Sequence, residues 1–220
     1  VMQDSMVAAM KFWIKDTNID GFRCDVAWNV PASFWRKSIP KLKKMKNVFM
    51  LAEGDSTYLP KSGFDAVYPW HMFKIMEKIA KGEKPATGLD SINKENETRY
   101  PKNTIQMYFT SNHDENSWNG TEYEKYGDMA KALAVFSCTW NGVPLLYSGQ
   151  ELPNKKRIKF FDKDTITWTG TNLLHDFYKA LLNLRNNNPA LRSGDASVQT
   201  FRIKTSDPKN VMAFLRKKDN

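Results

Sequence analysis

Phe109-Thr-Ser-Asn112-His113-Asp114-Glu-Asn-Ser117 decides how this chain is read, because an apolar run over 105–112 ends abruptly there in polar and ionisable side chains. Two earlier segments repeat the design. Gly21-Phe-Arg23-Cys-Asp25 follows a helical pattern, and Val48-Phe-Met-Leu-Ala-Glu53-Gly-Asp55 follows a basic one. In each, a carboxylate stands at the C-terminal end of a strand apolar enough to be buried.

A single acid after a strand can simply cap the helix that follows it. Three of them, with Arg23 and His113 alongside, point instead to a β/α barrel, whose active-site groups sit where parallel strands end and come from several different strands. Asp25, Glu53 and Asp114 are then expected to converge although they are far apart in sequence.

Periodicity places strands at 21–26, 48–54, 66–70, 105–112 and 143–149, with helices between them at 31–45, 71–81, 123–139 and 173–186. Pro31 suits the first turn of its helix, whereas Pro40 is expected to end or kink it. Residues 81–102, rich in Lys, Glu, Asn and Gly, read as a long loop holding at most one short helix. Residues 152–170 read as an irregular stretch, where a barrel places substrate-facing loops. Residues 1–15 read as a helix with Met2, Met6, Met10 and Trp13 spaced by three or four, so the chain opens inside a β/α repeat. After Asn188-Pro189 the pattern changes to alternating strands at 198–203 and 211–216, joined by a Ser206-Asp-Pro-Lys-Asn210 turn.

With 220 residues, 41% of them hydrophobic, the chain can bury a sizeable core, yet it is short for a complete barrel. No run approaches the ~18 apolar residues that span a bilayer. No basic-then-apolar leader stands at Val1, which says nothing about secretion in a chain that opens mid-repeat. Cys24 and Cys138 are too few for a disulfide framework and read as free thiols. A net charge of +9 raises nucleic-acid binding, but the basic residues gather in three separate places, 37–46, 155–157 and 216–218. Lys41, Lys43, Lys44 and Lys46 read as the solvated face of a helix whose apolar side is Phe34, Trp35, Ile39, Leu42 and Met45. Without a helix-turn-helix or aromatic RNA-binding signature, nucleic acid is not an expected partner.

At Gly21-Phe-Arg23-Cys-Asp25, Ala52-Glu53-Gly54 and Ser111-Asn112-His113-Asp114 the chain resembles the alpha-amylase family of retaining glycoside hydrolases. That family carries a Gly-x-Arg-x-Asp strand, a strand ending in an acidic Glu, and an Asn-His-Asp strand end, in this order. Gly142-Val-Pro144-Leu-Leu-Tyr147-Ser-Gly149-Gln-Glu151 resembles its last barrel strand. The resemblance covers about residues 1–190. It implies an α/β fold, a partial (β/α)8 TIM barrel comprising strands four to eight with their helices. Over 191–220 it implies the beginning of an antiparallel C-terminal β domain. The family's Asp-x-x-x-Asn-His motif from the third barrel strand is absent, so the chain resembles the C-terminal part of a longer enzyme whose N-terminal barrel part is its missing partner. The family also makes a secreted or periplasmic location plausible.

By the same resemblance, Asp25 is the nucleophile that forms a covalent glycosyl intermediate. Glu53 is the general acid and then the base, and Asp114 is the third carboxylate, which stabilises the oxocarbenium-like transition state. Retention requires the nucleophile and the acid to stand about 5–5.5 Å apart. Arg23, Asn112, His113 and Trp28 are the expected substrate-binding and orienting residues. Arg23 is placed to hydrogen-bond Asp25 and keep it ionised, and His113 to donate to sugar hydroxyls.

Many relatives carry Lys-His where this chain has Trp28-Asn29, so stacking is the expected contact on the leaving-group side. A calcium site, possible in a full-length enzyme, cannot be inferred, and His71 and His175 show no metal-ligand spacing to His113. Tyr58, Trp70 and Trp118 also follow strand ends, where an aromatic face can stack on glucose or simply fill a core. Glu115 reads equally as an orienter of the His-Asp pair or as an exposed acid. The expected substrate is an α-1,4-glucan, with α-1,6 cleavage or glucosyl transfer open. A non-catalytic α-glucan-binding or assembly protein on the same scaffold is the alternative, against which the intact set of three acids weighs.

Overall fold

The computed structural model describes residues 1–168 and 171–219; Thr169 and Gly170, the end of the irregular stretch expected over 152–170, lie outside the described residues. The chain divides into two units, Val1–Trp70 with Glu95–Gln106, and His71–Lys94 with Met107–Asn220.

In the first unit the elements run α1 (Met2–Thr17), β1 (Gly21–Cys24), α2 (Ala32–Lys43), β2 (Phe49–Ala52), α3 (Tyr58–Lys61) and β3 (Ala66–Val67), and the unit includes the start of β4 (Ile105–Tyr108). β1, β2, β3 and β4 pair in parallel in that order, with Arg23 opposite Leu51 and Val67 opposite Gln106. Asp65 fixes the entry to β3. Its carboxylate accepts from Met50 N at 2.8 Å and pairs with Lys43 at 2.6 Å, while its carbonyl accepts from Ile105 N at 2.9 Å. The core lies between α2 and the sheet, where Trp35 meets Phe34 and Phe64 edge-on, each at 4.9 Å, above buried Met50 and Ala52.

Several sequence expectations shift here for local reasons. α2 runs past Pro40 and ends within one turn, at Lys43, so Met45 lies beyond it and is exposed rather than part of its apolar side. Of the apolar stripe on α1 only Met10 and Ile14 are buried; Met2, Met6 and Trp13 are exposed. Met2, Met6 and Met10 instead line an open apolar groove of about 480 Å³ with Phe22, Val30 and Phe34. α1 closes at Asn18, which takes the left-handed conformation (φ 55°) common at helix ends.

The second unit contains α4 (Trp70–Ala80) from His71 onward and the start of α5 (Gly88–Arg99). It continues with the end of β4, then α6 (His113–Trp118), α7 (Glu122–Tyr126), α8 (Ala130–Thr139), β5 (Val143–Pro144), α9 (His175–Asn187), β6 (Val198–Ile203) and β7 (Ala213–Lys218). β5 pairs in parallel with β4, which completes a five-stranded order β1-β2-β3-β4-β5, the connectivity of a partial β/α barrel. β6 and β7 form an antiparallel pair in register from Val198↔Lys218 to Ile203↔Ala213. Phe214 of that pair packs edge-on against Trp140 at 4.8 Å.

The loop expected over 81–102 is instead largely the twelve-residue helix α5. The helix expected over 123–139 is divided. α7 starts at a Thr121/Glu124 capping box and stops at Gly127, whose φ of 51° breaks the helical path before α8. β5 is only two residues long, with Leu145 N still donating to Tyr108 O at 2.8 Å just beyond it.

Between β4 and β5 lies a buried polar network. Thr110 Oγ1 and Gln150 Nε2 each donate to Glu122 Oε2 at 2.7 Å, and Gln150 Nε2 also reaches the Tyr178 hydroxyl at 3.3 Å. Burial pushes the Glu122 carboxyl above the ordinary range even though Thr110 and Gln150 pull it back. A carboxyl whose pKa is raised by folding stabilises the fold below its unfolded pKa, about 4.3, and loses that contribution as pH rises through the raised value.

Two outcomes are expected. Glu122→Gln removes this titration, so urea midpoints measured from about pH 4 to about pH 7 should fall for the parent relative to the variant; parallel pH profiles would refute the network's role. Gly21 is needed because a Cβ there would lie 2.1 Å from the Phe49 carbonyl oxygen. Gly21→Ala should therefore cost about 1–3 kcal/mol or more in urea unfolding by forcing β1 away from β2.

Candidate active site

Asp25 and Glu53 each lie one residue beyond a strand, after β1 and β2. The parallel register continues past both ends, with Glu53 N donating to Cys24 O at 3.0 Å and Ala27 N to Glu53 O at 3.1 Å. This ladder sets the two side chains next to one another.

Arg23 joins them. Its Nη1 hydrogen-bonds Asp25 Oδ1, and its Nη2 stands 3.3 Å from Glu53 Oε2 as an ion pair without hydrogen-bond alignment. One planar guanidinium thus contacts both carboxylates. Glu53 Oε2 also accepts from Val26 N at 2.6 Å. Val26 pays for that contact with a left-handed backbone (φ 43°, ψ 42°), a conformation that a β-branched residue seldom adopts. Beyond it, residues Ala27–Asn29 form a 3₁₀ turn that leaves Trp28 exposed.

Tyr68, just past β3, is a site residue that sequence reasoning missed. It is buried, its hydroxyl accepts from Arg23 Nε at 3.3 Å, and its ring lies 5.7 Å from the guanidinium carbon. Burial pulls the Arg23 pKa down, but the hydrogen bonds to Tyr68 and Asp25 outweigh it and leave the group firmly charged. The one available signal was its position at a strand end.

Of the other aromatics after strand ends in this unit, Tyr58 is tied to the backbone, donating to Trp28 O at 2.6 Å, which pins the 3₁₀ turn. Trp70 packs on Tyr68 with ring centroids 5.4 Å apart.

In the second unit, Asn112 caps α6. Its Oδ1 accepts from Asp114 N at 3.0 Å and Glu115 N at 2.8 Å. Its Nδ2 is buried without a hydrogen-bond partner among the described residues. Asp114 is therefore the second residue of a helix rather than the last of a strand, and β4 itself ends at Tyr108. His113 is half-exposed, with Nε2 3.4 Å from Asp114 Oδ2. Tyr147, in the loop after β5, also senses Asp114: burial raises its phenol pKa and the nearby carboxylate raises it further.

Glu115 is not an exposed acid. It pairs at 2.8 Å with buried Lys125, whose ammonium also lies 3.7 Å from Glu77 and 4.9 Å from the centre of the Phe73 ring. That pair holds α6 against α4 and α7.

Cys24 and Cys138 are both buried free thiols, with burial pushing their pKa values up to about 12 and about 11. Among the described residues no three His, Cys, Asp or Glu side chains come together in a way that would hold a metal ion.

The chain as a whole is similar to known proteins. The family model for the alpha-amylase catalytic domain matches residues 1–168. The chain is 30% identical over 208 residues to the alpha-amylase MalA of Haloarcula japonica, spanning 92% of this chain and 30% of that protein. It is 27% identical over 235 residues to a cyclomaltodextrinase of a Bacillus species, spanning 99% of this chain and 40% of that one. The chain therefore spans less than half the length of these curated relatives. Among solved structures, the maltogenic alpha-amylase AmyB of Thermotoga neapolitana superimposes with a TM-score of 0.85 at 24% identity, covering 98% of this chain and 50% of that one. With the parallel strand order and the matching catalytic-domain model, the chain belongs to the alpha-amylase family.

Proposed function

We propose that this chain supplies the catalytic groups of an α-glucan hydrolase that cleaves α-1,4-glucosidic bonds in starch, maltodextrins or related chains with retention at the anomeric carbon. The observation that carries this reading is the shared guanidinium: Arg23 holds Asp25 and Glu53 on two adjacent strand ends. Double displacement requires two carboxyl groups about 5–5.5 Å apart, and a guanidinium in contact with both keeps them near one another. The names of the matched relatives, an alpha-amylase and a cyclomaltodextrinase, support α-glucans as the substrate class.

In this reading Asp25, exposed beside Arg23, attacks the anomeric carbon while Glu53 gives its proton to the departing glycosidic oxygen. The covalent glycosyl intermediate is then opened by water, whose proton returns to Glu53 as the water oxygen bonds to the anomeric carbon and Asp25 leaves as carboxylate. Asp114 is the third carboxylate, stabilising positive charge that develops on the sugar ring. Its backbone N–H is held by the Asn112 cap, which fixes where the side chain starts. His113, half-exposed beside it, is available to donate to a sugar hydroxyl. Trp28, exposed on its 3₁₀ turn, offers a stacking face on the leaving-group side.

The test is release of reducing sugar from soluble starch and maltoheptaose by the longest polypeptide in which the chain occurs. NMR of the first product should show the α-anomer. Glu53→Gln should lower turnover by about 10²–10⁴-fold, the usual contribution of a general acid, and Asp25→Asn should abolish it. Normal turnover in Asp25→Asn would remove Asp25 as nucleophile, and a β-anomeric first product would overturn retention.

A further inference from the structure

The side-chain amide of Gln150 joins two segments 40 residues apart in the chain, Thr110 after β4 and the turn at 147–150 after β5. Gln150 is buried, and both ends of its amide are in use. Its Oε1 accepts from Tyr147 N at 2.7 Å, while its Nε2 donates to Thr110 Oγ1 at 2.8 Å and to Glu122 Oε2 at 2.7 Å. A backbone N–H can only donate, so the amide oxygen must face Tyr147 and the nitrogen must face Thr110 and Glu122.

On the β5 side the amide closes a turn. The backbone N–H of Gln150 donates to Tyr147 O at 3.2 Å, so both backbone polar groups of Tyr147 end on this one residue. Gly149 lets the turn close with a φ of 90°, a conformation that costs glycine nothing. Glu151 braces it further by accepting from Gly149 N at 3.1 Å.

On the β4 side the amide reaches the segment that leads into α6. Thr110 lies two residues before Asn112, whose side chain caps the helix beginning with His113 and Asp114. Glu122 of α7 and Tyr178 of α9, both buried, hold the amide from behind, the Tyr178 hydroxyl at 3.3 Å. Burial, and then the Asp114 carboxylate, raise the Tyr147 phenol above its ordinary range. Tyr147 thus stays neutral and meets Asp114 as a dipole rather than as a second charge.

We propose that Gln150 is a positioning residue for the hydrolytic step: anchored on Glu122, it ties the Tyr147 turn to the Thr110–Asn112 segment and so sets the Tyr147 phenol against Asp114. The proposal rests on the α-glucan reading above. A polar network that only filled the core would have no use for an amide oxygen that closes the Tyr147 turn.

An exchange of partners tests it in the longest polypeptide in which the chain occurs. Gln150→Glu keeps the oxygen that accepts from Tyr147 N but turns the donor end into a second oxygen against Glu122. On maltoheptaose its kcat should fall roughly ten- to a hundredfold with KM within about twofold, the pattern of a group displaced by up to about 1 Å near the reacting bond. The double variant Gln150→Glu/Glu122→Gln again sets a donor opposite an acceptor, because the Thr110 and Tyr178 hydroxyls can turn to suit it. It should recover most of the lost kcat. Tyr147→Phe should lower kcat in the parent and in the double variant, yet change little in Gln150→Glu, where the phenol is already displaced.

Amide hydrogen exchange of the chain labelled with ¹⁵N-tyrosine gives a readout apart from turnover. The Tyr147 N–H should be protected in the parent and lose that protection in Gln150→Met, which removes its acceptor. Should Gln150→Glu not fold, Tyr147→Phe in the parent and in the double variant carries the kinetic test.

Unchanged kcat in a folded Gln150→Glu overturns the proposal, and so does a Tyr147→Phe effect that is absent from the parent or simply additive. A double variant that regains the urea midpoint but not kcat marks the network as core support alone. A Tyr147 N–H that exchanges equally fast with and without Gln150 removes the link itself. Failure of the underlying reading looks different: the parent releases no reducing sugar although Gln150 still protects the Tyr147 N–H, and the proposal then falls with the reaction it serves.

Discussion

One guanidinium shared by two carboxylates is the constraint on which the candidate site depends. Asp25 and Glu53 would repel each other at adjacent strand ends, and Arg23 offsets that with a charge that no accessible pH removes. A long side chain can serve two acids only if it is held still. Tyr68 does this from below, with its hydroxyl on Nε and its ring beneath the guanidinium. The arrangement has a backbone counterpart at Val26, where a left-handed residue aims its N–H at Glu53. Strain of this kind costs about 1–3 kcal/mol and persists where the surroundings over-determine it. Here the bonds from Glu53 N to Cys24 O and from Ala27 N to Glu53 O bracket the strained residue.

The His113-Asp114 pair is positioned by other means. Asn112 ends the extended segment after β4 by accepting two N–H groups of α6, so Asp114 enters on a helix. The helix is then anchored through Glu115 to Lys125, whose side chain is almost fully buried. A buried ion pair of this sort adds little net stability, but losing one partner leaves a charge stranded. Its value lies in fixing where α6 sits, and with it the start of the Asp114 side chain.

How far this was legible in the residues depended on whether the signal was local. The strands and their carboxylates could be read, because an apolar run that ends in an acid needs no knowledge of neighbours. Strand ends could not be read, since where pairing stops depends on a neighbouring strand distant in sequence, as at Tyr108 and Pro144, which pair across 36 residues. α5 escaped because Leu89 is its one buried residue, so it carries almost no apolar period. Glu115 read equally as an orienter of the His-Asp pair or as an exposed acid, because its partner Lys125, ten residues on and buried, has no local signal. Tyr68 and Glu122 act through partners 45 and 28 residues away, Arg23 and Gln150, and no spacing rule links such pairs. The conformation of Val26 was the least accessible, because a valine is the residue from which a left-handed backbone is least expected.

The charge balance argues in the same direction as the chemistry. The chain carries a net charge of +9, yet cations that contact the candidate groups or their neighbours are matched by acids: Arg23 by Asp25 and Glu53, and Lys125 by Glu115. Exposed lysines such as Lys37, Lys41 and Lys44 lie on or beside α2, on its solvent side. A net field of this kind bears on solubility and on encounters with charged surfaces more than on a neutral ligand. A glucan offers no charge to steer, so its affinity must come from ring faces and hydroxyl hydrogen bonds, which salt screens very little. Cations already paired with acids suit a neutral ligand, because they orient carboxylates and loops without competing for it and leave the aromatic and carboxylate groups to make the contacts.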